Sequence, residues 1–423
     1  MISFIRSLIP NSVMNRLRPV YHFLLSFIGA VIYGFPSRKI FVIGVTGTKG
    51  KSTTVELISS TLKVAGLKTA STSTIRFSIG NKNKENKYKM TMPGRFFMQK
   101  FLAEAVKEGC THAVLEMTSE GAKQYRHAFV HMDVLIFLNL SPEHIESHGS
   151  YEKYKQAKLS LARALERSPK PERTLIVNAD DKESKDFLSF NIPNKRSFSL
   201  NDLEKISDTE EGLSFLYKDT HIVSSLRGLF NASNICAVLS LSEVLKIPLP
   251  VAKRAIALTE KVEGRVEEVK ISKNQPFKVY VDYAHTPESL KSLYSAFRNK
   301  KVCVLGSAGG GRDTWKRPAM GEIADKNCDH IILTDEDPYD EDPKKILEDI
   351  KVGIKNKTPE IILDRREAIN RSLKKALEIS KKGESVSVLI TGKGTDPYIM
   401  GPKGKKEPWS EVRIVAEELK KVL

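Results

Sequence analysis

The run Val42-Ile43-Gly44-Val45-Thr46-Gly47-Thr48-Lys49-Gly50-Lys51-Ser52-Thr53-Thr54 constrains this chain more than any other stretch. An apolar strand breaks there into a glycine-rich turn, and the turn opens a helix. Backbone N–H groups of such a turn converge on anionic oxygens, while the helix N-terminus adds the positive end of its dipole. Lys51 supplies a point charge and Ser52 a hydroxyl suited to Mg²⁺. These residue types predict a phosphate-binding loop for a nucleoside triphosphate, with Gly47, Thr48, Lys49, Gly50, Lys51, Ser52 and Thr53 around the phosphates. The spacing departs from the common Gly-x-x-x-x-Gly-Lys-Ser/Thr pattern. Counting back from Gly50, the first glycine position falls on Val45, with Gly44 one residue early and Gly47 inside the loop.

At 423 residues the chain exceeds one ordinary core, so two domains and an appendage are expected. Cysteines at 110, 236, 303 and 328 show no C-x-x-C spacing, which predicts reduced cytoplasmic thiols with neither disulfide nor zinc. The formal charge of +17 raises the question of nucleic acid. The 68 basic residues are dispersed among 51 acidic ones without an arginine-aromatic block, which argues against a nucleic-acid partner and fits an anionic small-molecule substrate.

Residues 1–38 stand apart. They carry Arg6, Arg16 and Arg18 and the apolar run from Val20 to Tyr33. No small-residue cleavage site marks a signal peptide, and the run falls short of the roughly 20 apolar residues of a spanning helix. Two readings stay open for residues 1–36: a helix packed on the first domain, or a basic, aromatic-rich helix touching the inner face of the membrane.

From residue 39 apolar runs alternate with helical stretches, as in a mostly parallel sheet covered on both faces. Strands read at Phe41–Gly44, Ala113–Met117, Val134–Asn139 and Thr174–Asn178. Helices read at Ser52–Ala65 and Tyr151–Glu166, the polar run Gly80–Lys87 reads as a surface loop, and Gly212–Ser225 as a hairpin. Helices over Asn231–Leu245 and Pro250–Leu258 close this first domain, residues 39–262. A second alternation over residues 263–423 places strands at Lys278–Val281, Val302–Leu305, Ile331–Leu333 and Val386–Ile390. The fold class is α/β: a P-loop ATPase-type, mostly parallel sheet followed by a Rossmann-like C-terminal domain. Chemically loaded turns follow the second set of strands, and ligands of open α/β sheets sit beyond the strands' carboxyl ends, so the active site is expected to face the first domain.

Glu116 ends a strand near the loop and is a candidate Mg²⁺ ligand, since Mg²⁺ takes hard oxygen donors. The next strand runs into Asn139-Leu140-Ser141-Pro142-Glu143-His144-Ile145-Glu146-Ser147-His148-Gly149, whose two histidines four apart are only a weak sign of zinc.

Taken in order, the phosphate loop, Asn139–Gly149, Tyr154-Lys155-Gln156-Ala157-Lys158, Asn178-Ala179-Asp180-Asp181, Phe230-Asn231-Ala232-Ser233-Asn234, Gly264-Arg265-Val266-Glu267, Val281-Asp282-Tyr283-Ala284-His285-Thr286-Pro287, Lys316-Arg317-Pro318 and Gly392-Lys393-Gly394 resemble the Mur ligases. These are the ATP-dependent amide-forming enzymes of peptidoglycan synthesis, and the nearest branch is the tripeptide synthetases. The resemblance runs from Ile40 to Leu423. It implies transfer of the ATP γ-phosphoryl group to a muramoyl-peptide carboxylate, then displacement of phosphate by an incoming diamino acid such as lysine or diaminopimelate. It implies catalytic roles for Lys51, Lys158 and His144, and Mg²⁺ held near Ser52, Glu116, His144 and Lys158. Lys158 is expected to be carbamylated, a role the sequence alone would not suggest. Asn231, Arg265, Asp282 and His285 are expected on the nucleotide. Thr118, Ser119, Arg126, Arg317, Asp335, Asp337, Gly392 and Asp396 are expected on the other substrates.

Three departures bear on substrate. Relatives acting on UDP-linked substrates carry an N-terminal domain for the uridine diphosphate, and the segment before the loop strand is too short to form one, which leaves a lipid-linked acceptor open. Thr118-Ser119-Glu120-Gly121 replaces a Ser-Ser-His-Gly turn. Asp335-Glu336-Asp337-Pro338-Tyr339-Asp340-Glu341-Asp342 replaces Asp-Asn-Pro-Arg, whose arginine grips the far carboxylate of diaminopimelate. Acids in its place favour an amine, which makes lysine, ornithine or another diamine as plausible as diaminopimelate. Rival readings are a ligase on a lipid-linked or non-muramoyl peptide, a folylpolyglutamate synthase-like ligase, and a P-loop NTPase or phosphoryltransferase making no amide. A cytoplasmic monomer is expected.

Overall fold

The computed structural model describes residues 11–423, with side chains of the first helix from Arg18 onward. Residues 1–10, Arg6 among them, and the Arg16 side chain lie outside the described residues. Two compact units emerge. One gathers the described part of Met1–Leu140 with Glu152–Asp202 and Asn234–Ile256; the other gathers Ser141–Tyr151, Leu203–Ser233 and Ala257–Leu423.

The first unit is built on eight strands: β1 (Phe41–Thr46), β2 (Thr69–Thr72), β3 (Arg76–Ile79), β4 (Lys82–Glu85), β5 (His112–Met117), β6 (Val134–Phe137), β7 (Thr174–Asn178) and β8 (Asn194–Phe198). Their order is β4-β3-β2-β5-β1-β6-β7-β8, with β3 and β4 antiparallel additions to a parallel sheet. Central strands are near-continuous apolar runs because helices cover both faces. Val42, Ile43 and Val45 of β1 are fully buried, as are Leu135, Ile136 and Phe137 of β6. Register pairs Thr46 with Met117 on one side and with Phe137 on the other. Three strands thus end level, and the loop after β1, Thr118 after β5 and Asn139 after β6 share one edge of the sheet.

The polar run at 80–87 is not a loop. Lys82–Glu85 pairs with β3 as an exposed edge strand, and its Lys-Asn-Lys-Glu sequence lacks the alternation that marks a strand with one buried face.

In the second unit the Gly212–Ser225 hairpin is present as β10 (Gly212–Tyr217) and β11 (Thr220–Ser224), extended by a third strand, β9 (Glu204–Thr209). Its larger sheet has the order β12-β13-β17-β14-β15-β16, from β12 (Glu267–Glu268), β13 (Lys278–Asp282), β14 (Lys300–Leu305), β15 (His330–Leu333), β16 (Glu360–Ile361) and β17 (Val386–Thr391). Only β12 is antiparallel. Asp282 lies level with Thr391, and Leu305 with Leu333, so the four following turns gather at one edge.

The expectation of four reduced cysteines is overturned. Cys303 in β14 and Cys328 just before β15 form a disulfide with Cα atoms 6.0 Å apart, both buried; Cys110 and Cys236 are free. The crossover helix Lys316–Asn327 returns the chain beside β14, a closeness that a separation of 25 residues does not announce.

The N-terminal segment is a helix, Asn11–Ile32, packed along helix Arg95–Lys107. Its Ser26 hydroxyl donates to the Tyr125 carbonyl at 2.7 Å. Among the described residues no helix is long and apolar enough to cross a membrane.

Candidate active site

In the first unit the loop after β1 is fixed by glycine and asparagine. Gly50 has φ +83°, and a Cβ on it would stand 2.2 Å from Asn234 Oδ1; one on Gly47 would stand 3.0 Å from Leu138 Cβ. Asn139 threads the turn: its Oδ1 accepts from Thr48 N at 3.1 Å and Lys49 N at 2.8 Å, and its Nδ2 donates to Lys49 O. Helix Lys51–Val64 then begins, its first bond running from Thr54 N to Gly50 O. The amides that open a helix point outward along its axis, so Gly50 through Thr53 form a start suited to phosphate oxygens.

Lys51 Nζ donates to the carbonyls of Gly47 and Thr48, each at 2.9 Å. Lys158, on helix Tyr151–Glu166, is only 1% exposed and donates from Nζ to the same Gly47 carbonyl at 2.7 Å. One turn earlier on that helix, Tyr154 OH meets Thr48 Oγ1 at 2.9 Å. Ser52 Oγ donates to Glu116 Oε2 at 2.8 Å, and Thr74 contributes its N–H and hydroxyl to the same carboxylate. Two amines, a hydroxyl and a buried carboxylate thus surround the mouth of the loop. The donor set, a hydroxyl and a carboxylate beside a phosphate cradle, fits Mg²⁺.

Beside this cluster, Thr118 caps helix Ser119–Lys123 by accepting from Gly121 N at 3.1 Å, and Ser119 is buried in its first turn. Arg126 donates to Gln124 Oε1 at 2.7 Å and to the Met92 carbonyl, and burial pulls its guanidinium pKa down.

His144 belongs to the second unit, where its N–H donates to Asp313 Oδ2 at 2.7 Å. Asp282 accepts from Val266 N at 2.7 Å and Ala284 N at 2.6 Å, pinning the turn after β13. Arg265 lies 4.4 Å from the Tyr283 ring centroid, and His285 Nε2 sits 3.0 Å from Glu143 Oε1. Asn231 Nδ2 donates to Arg227 O at 2.7 Å.

The acidic run divides. Asp337 accepts from Lys393 Nζ at 2.9 Å and Met400 N at 2.7 Å, and Asp396 faces the same ammonium at 3.5 Å. Arg317, fully buried, forms a fork on Glu341 at 2.6 and 2.8 Å and reaches Asp349 at 2.9 Å. Gly392 has φ +106°, and a Cβ there would stand 2.4 Å from Glu336 Oε2. Burial raises the carboxyl pKa of Asp335 and of Glu336. The Tyr283 phenol is raised first by Asp396 and then by burial. A cleft of about 570 Å³ opens beside them, lined by Asp335, Tyr339, Asp340, Asp342 and Glu407, with Lys405 at its wall.

Asn139 and Asn234 were not among the sequence-predicted site residues. The available signal for Asn139 was its place directly after an apolar strand neighbouring β1.

Residues 45–242 match the family model of the Mur ligase middle domain, and residues 264–394 that of the Mur ligase glutamate ligase domain. The chain is 35% identical to a UDP-N-acetylmuramyl-tripeptide synthetase of Treponema denticola, over 92% of this chain and 77% of that one. It is 36% identical to a UDP-N-acetylmuramoyl-L-alanyl-D-glutamate–2,6-diaminopimelate ligase of Aquifex aeolicus, over 92% and 79%. A solved diaminopimelate ligase structure of the same description superposes with a TM-score of 0.60 at 26% identity, covering 90% of this chain and 78% of that one. Folylpolyglutamate synthase of Mycobacterium tuberculosis shares the fold, with a TM-score of 0.71 at 15% identity over 88% and 92%.

Proposed function

The chain belongs to the Mur ligase family, an ATP-dependent ligase forming C–N bonds in peptidoglycan synthesis, and we propose that it joins an amine-bearing diamino acid to a muramoyl-peptide carboxylate. The observation that carries this reading is the meeting of Lys51 and Lys158 on the Gly47 carbonyl, with the Ser52–Glu116 pair beside them.

The substrate carboxylate attacks the γ-phosphorus of ATP, and ADP leaves. The amino group then attacks the acyl phosphate carbon, a tetrahedral adduct forms, and it collapses to the amide as inorganic phosphate departs and the amine loses its proton. Gly50–Thr53 hold the phosphates, and the Lys51 ammonium offsets charge on the transferred group, so positioning and electrostatics supply most of the acceleration. Bound Mg²⁺ would neutralise phosphate charge, with Ser52, Glu116 and, as its carbamate, Lys158 to hold it; His144, a residue of the second unit, is assigned to it by resemblance alone. Arg265, Asp282, His285 and Asn231 are assigned to the nucleotide by the same resemblance. Thr118, Ser119 and Arg126 are assigned to the peptide, and Arg317, Asp335, Asp337, Gly392 and Asp396 to the amino-acid side. Arg317 and Asp337 act there by holding the loops, since their charged groups are taken by Glu341, Asp349 and Lys393.

Carbamylation of Lys158 needs its neutral amine: nitrogen attacks CO₂, an N–C bond forms and one proton leaves to solvent. Burial favours neutral lysine in general. The carbamate keeps one N–H, sufficient for the Gly47 carbonyl.

The acid-lined cleft and Tyr339 support an ammonium side chain, as in lysine or ornithine, over the far carboxylate of diaminopimelate. Residues 39–262 are proposed as the ATP-binding domain and 263–423 as the domain receiving the amino acid. The nucleotide-linked substrates in the relatives' names support a cytoplasmic location.

The test is phosphate release from Mg-ATP with UDP-muramoyl dipeptide, comparing lysine, ornithine, diaminopimelate and no amino acid, with product masses. Release dependent on lysine or ornithine with the matching mass gain supports the proposal. Dependence on diaminopimelate alone removes the ammonium selectivity, and release without any amide removes the ligase reading.

A further inference from the structure

Helix Asn11–Ile32 is turned inside out relative to an ordinary surface helix, which buries its apolar stripe and exposes its polar one. The centre of its inward face is small and polar, with Phe23 and Phe27 reaching the Phe129 ring along one margin: Ser26 is 1% exposed, Ala30 fully buried, and a Cβ on Gly29 would touch Phe96 at 3.5 Å. His22, on the same side, meets the Arg95 guanidinium. Its outward face is the apolar one. Val20, Leu24, Phe27, Ile28, Val31 and Ile32 recur at helical spacing and are each 44–62% exposed. Contiguous apolar surface of this kind marks an interaction site.

Charge selects the occupant. Arg18 precedes the stripe, Arg38 and Lys39 follow it, and all three are exposed. The first acidic residue of the whole sequence is Glu56, so residues 1–55 carry seven Lys and Arg and no carboxylate. A protein partner would commonly set acids and bases against one another across a rim. Cations at both ends of an apolar stripe, Arg18 before it and Arg38 and Lys39 after it, match an anionic bilayer surface, where apolar side chains enter the acyl boundary and cations stay among the headgroups.

We propose that this helix docks the protein on anionic membrane through its outer stripe, lying in the plane of the interface. The inner face stays on helix Arg95–Lys107. The protein body thus takes the place of the helix's usual water-facing side, and no rearrangement is needed for docking. This proposal stands on the helix alone and does not depend on which amino acid the enzyme adds.

The experiment is flotation of the full chain with vesicles of phosphatidylcholine alone and with one-third phosphatidylglycerol, beside sedimentation velocity without lipid. The expected result is binding to the anionic vesicles that weakens as salt rises. Lys39→Gln should weaken it about fivefold, the effect of one cation near such a surface. Ile28→Glu and Leu24→Glu, at exposed positions, should each weaken it at least tenfold while ATP turnover in solution stays unchanged. No flotation of the wild-type chain overturns the proposal. So does a dimer in sedimentation that Ile28→Glu dissociates with no vesicle binding, which would assign the stripe to a second copy. Equal binding to both vesicle types overturns the charge argument.

Discussion

Gly50 and Asn234 offer a test of whether the phosphate loop is held by the contact described. Gly50 occupies φ +83°, and a methyl group there would lie 2.2 Å from Asn234 Oδ1. Gly50→Ala therefore carries two costs. The left-handed backbone disfavours an L-residue by about 1–2 kcal/mol. The methyl also drives the Asn234 amide, only 4% exposed, from its position, and a buried polar group losing its partner costs about 1–3 kcal/mol. The single variant should lose about 2–5 kcal/mol. In an Asn234→Ala background the second cost is already taken, so Gly50→Ala should then cost only the backbone share. The cycle should show a coupling of about 1–3 kcal/mol, beyond ordinary additivity. Hydrogen exchange of peptides from β1, β5 and β6 without nucleotide reads the opening free energy of this unit alone. Additivity within about 0.5 kcal/mol would refute the contact as the constraint on Gly50.

Lys51→Ala should reduce phosphate release at least about a thousandfold, the scale seen when one charge-stabilising group is lost from phosphoryl transfer, with thermal stability nearly unchanged. Turnover near wild type would remove the loop assignment. Lys158→Ala should be inactive and partly rescued by short carboxylic acids, whereas full activity without them would rule out the carbamate. Burial pushes the His127 imidazole down to about 4, with Nδ1 lacking a hydrogen-bond partner among the described residues. Unfolded His127 takes a proton near pH 6.5 and folded His127 does not, so stability falls as pH drops from about 6.5 to 4, by about 3 kcal/mol in all. His127→Leu should flatten that slope by a comparable amount in urea titrations; an unchanged slope would contradict the burial. Arg365→Met should cost about 3–5 kcal/mol by stranding Glu411, a fully buried carboxylate that Arg365 holds at 2.6 Å, while the double Met variant should regain much of the loss. Fluorescence of Trp315 and Trp409 follows the melt, and an equal loss in the double variant would refute the stranded-charge account.

Much of the architecture was legible where one physical signal dominated. Helix Tyr151–Glu166 and strand Thr174–Asn178 begin and end where periodicity placed them. The strand, turn and helix around Gly47–Gly50 were legible because an apolar run breaks at glycines before a helical stretch. Strand Lys82–Glu85 was not, since an edge strand exposed on both faces has no alternation to read. The Cys303–Cys328 bridge was hidden because its closeness arises from a crossover rather than from spacing. The acidic run reads as a row of carboxylates, but Asp337 is buried on Lys393 and Glu341 is paired with Arg317 where it lines the cleft beside Asp335, Asp340 and Asp342, pairings no residue spacing announces. Lys158 gave no sign of burial in its own residue pattern; helix geometry turns it onto Gly47.

The two rims of the large sheet bear on how the protein behaves in a crowded solution. β4 presents Lys82 and Lys84 on one rim, and β8 presents Lys195 and Arg196 on the other, all exposed. An open rim is a template on which another chain could add a strand. Lys82 and Arg196 are paired with Glu108 and Glu243, while Lys84 and Lys195 add cations that an approaching copy would set against its own. Part of the basic excess thus acts as an insulator against runaway strand addition. Replacing those lysines with threonine or valine would leave the fold in place and shorten the life of the protein in concentrated solution.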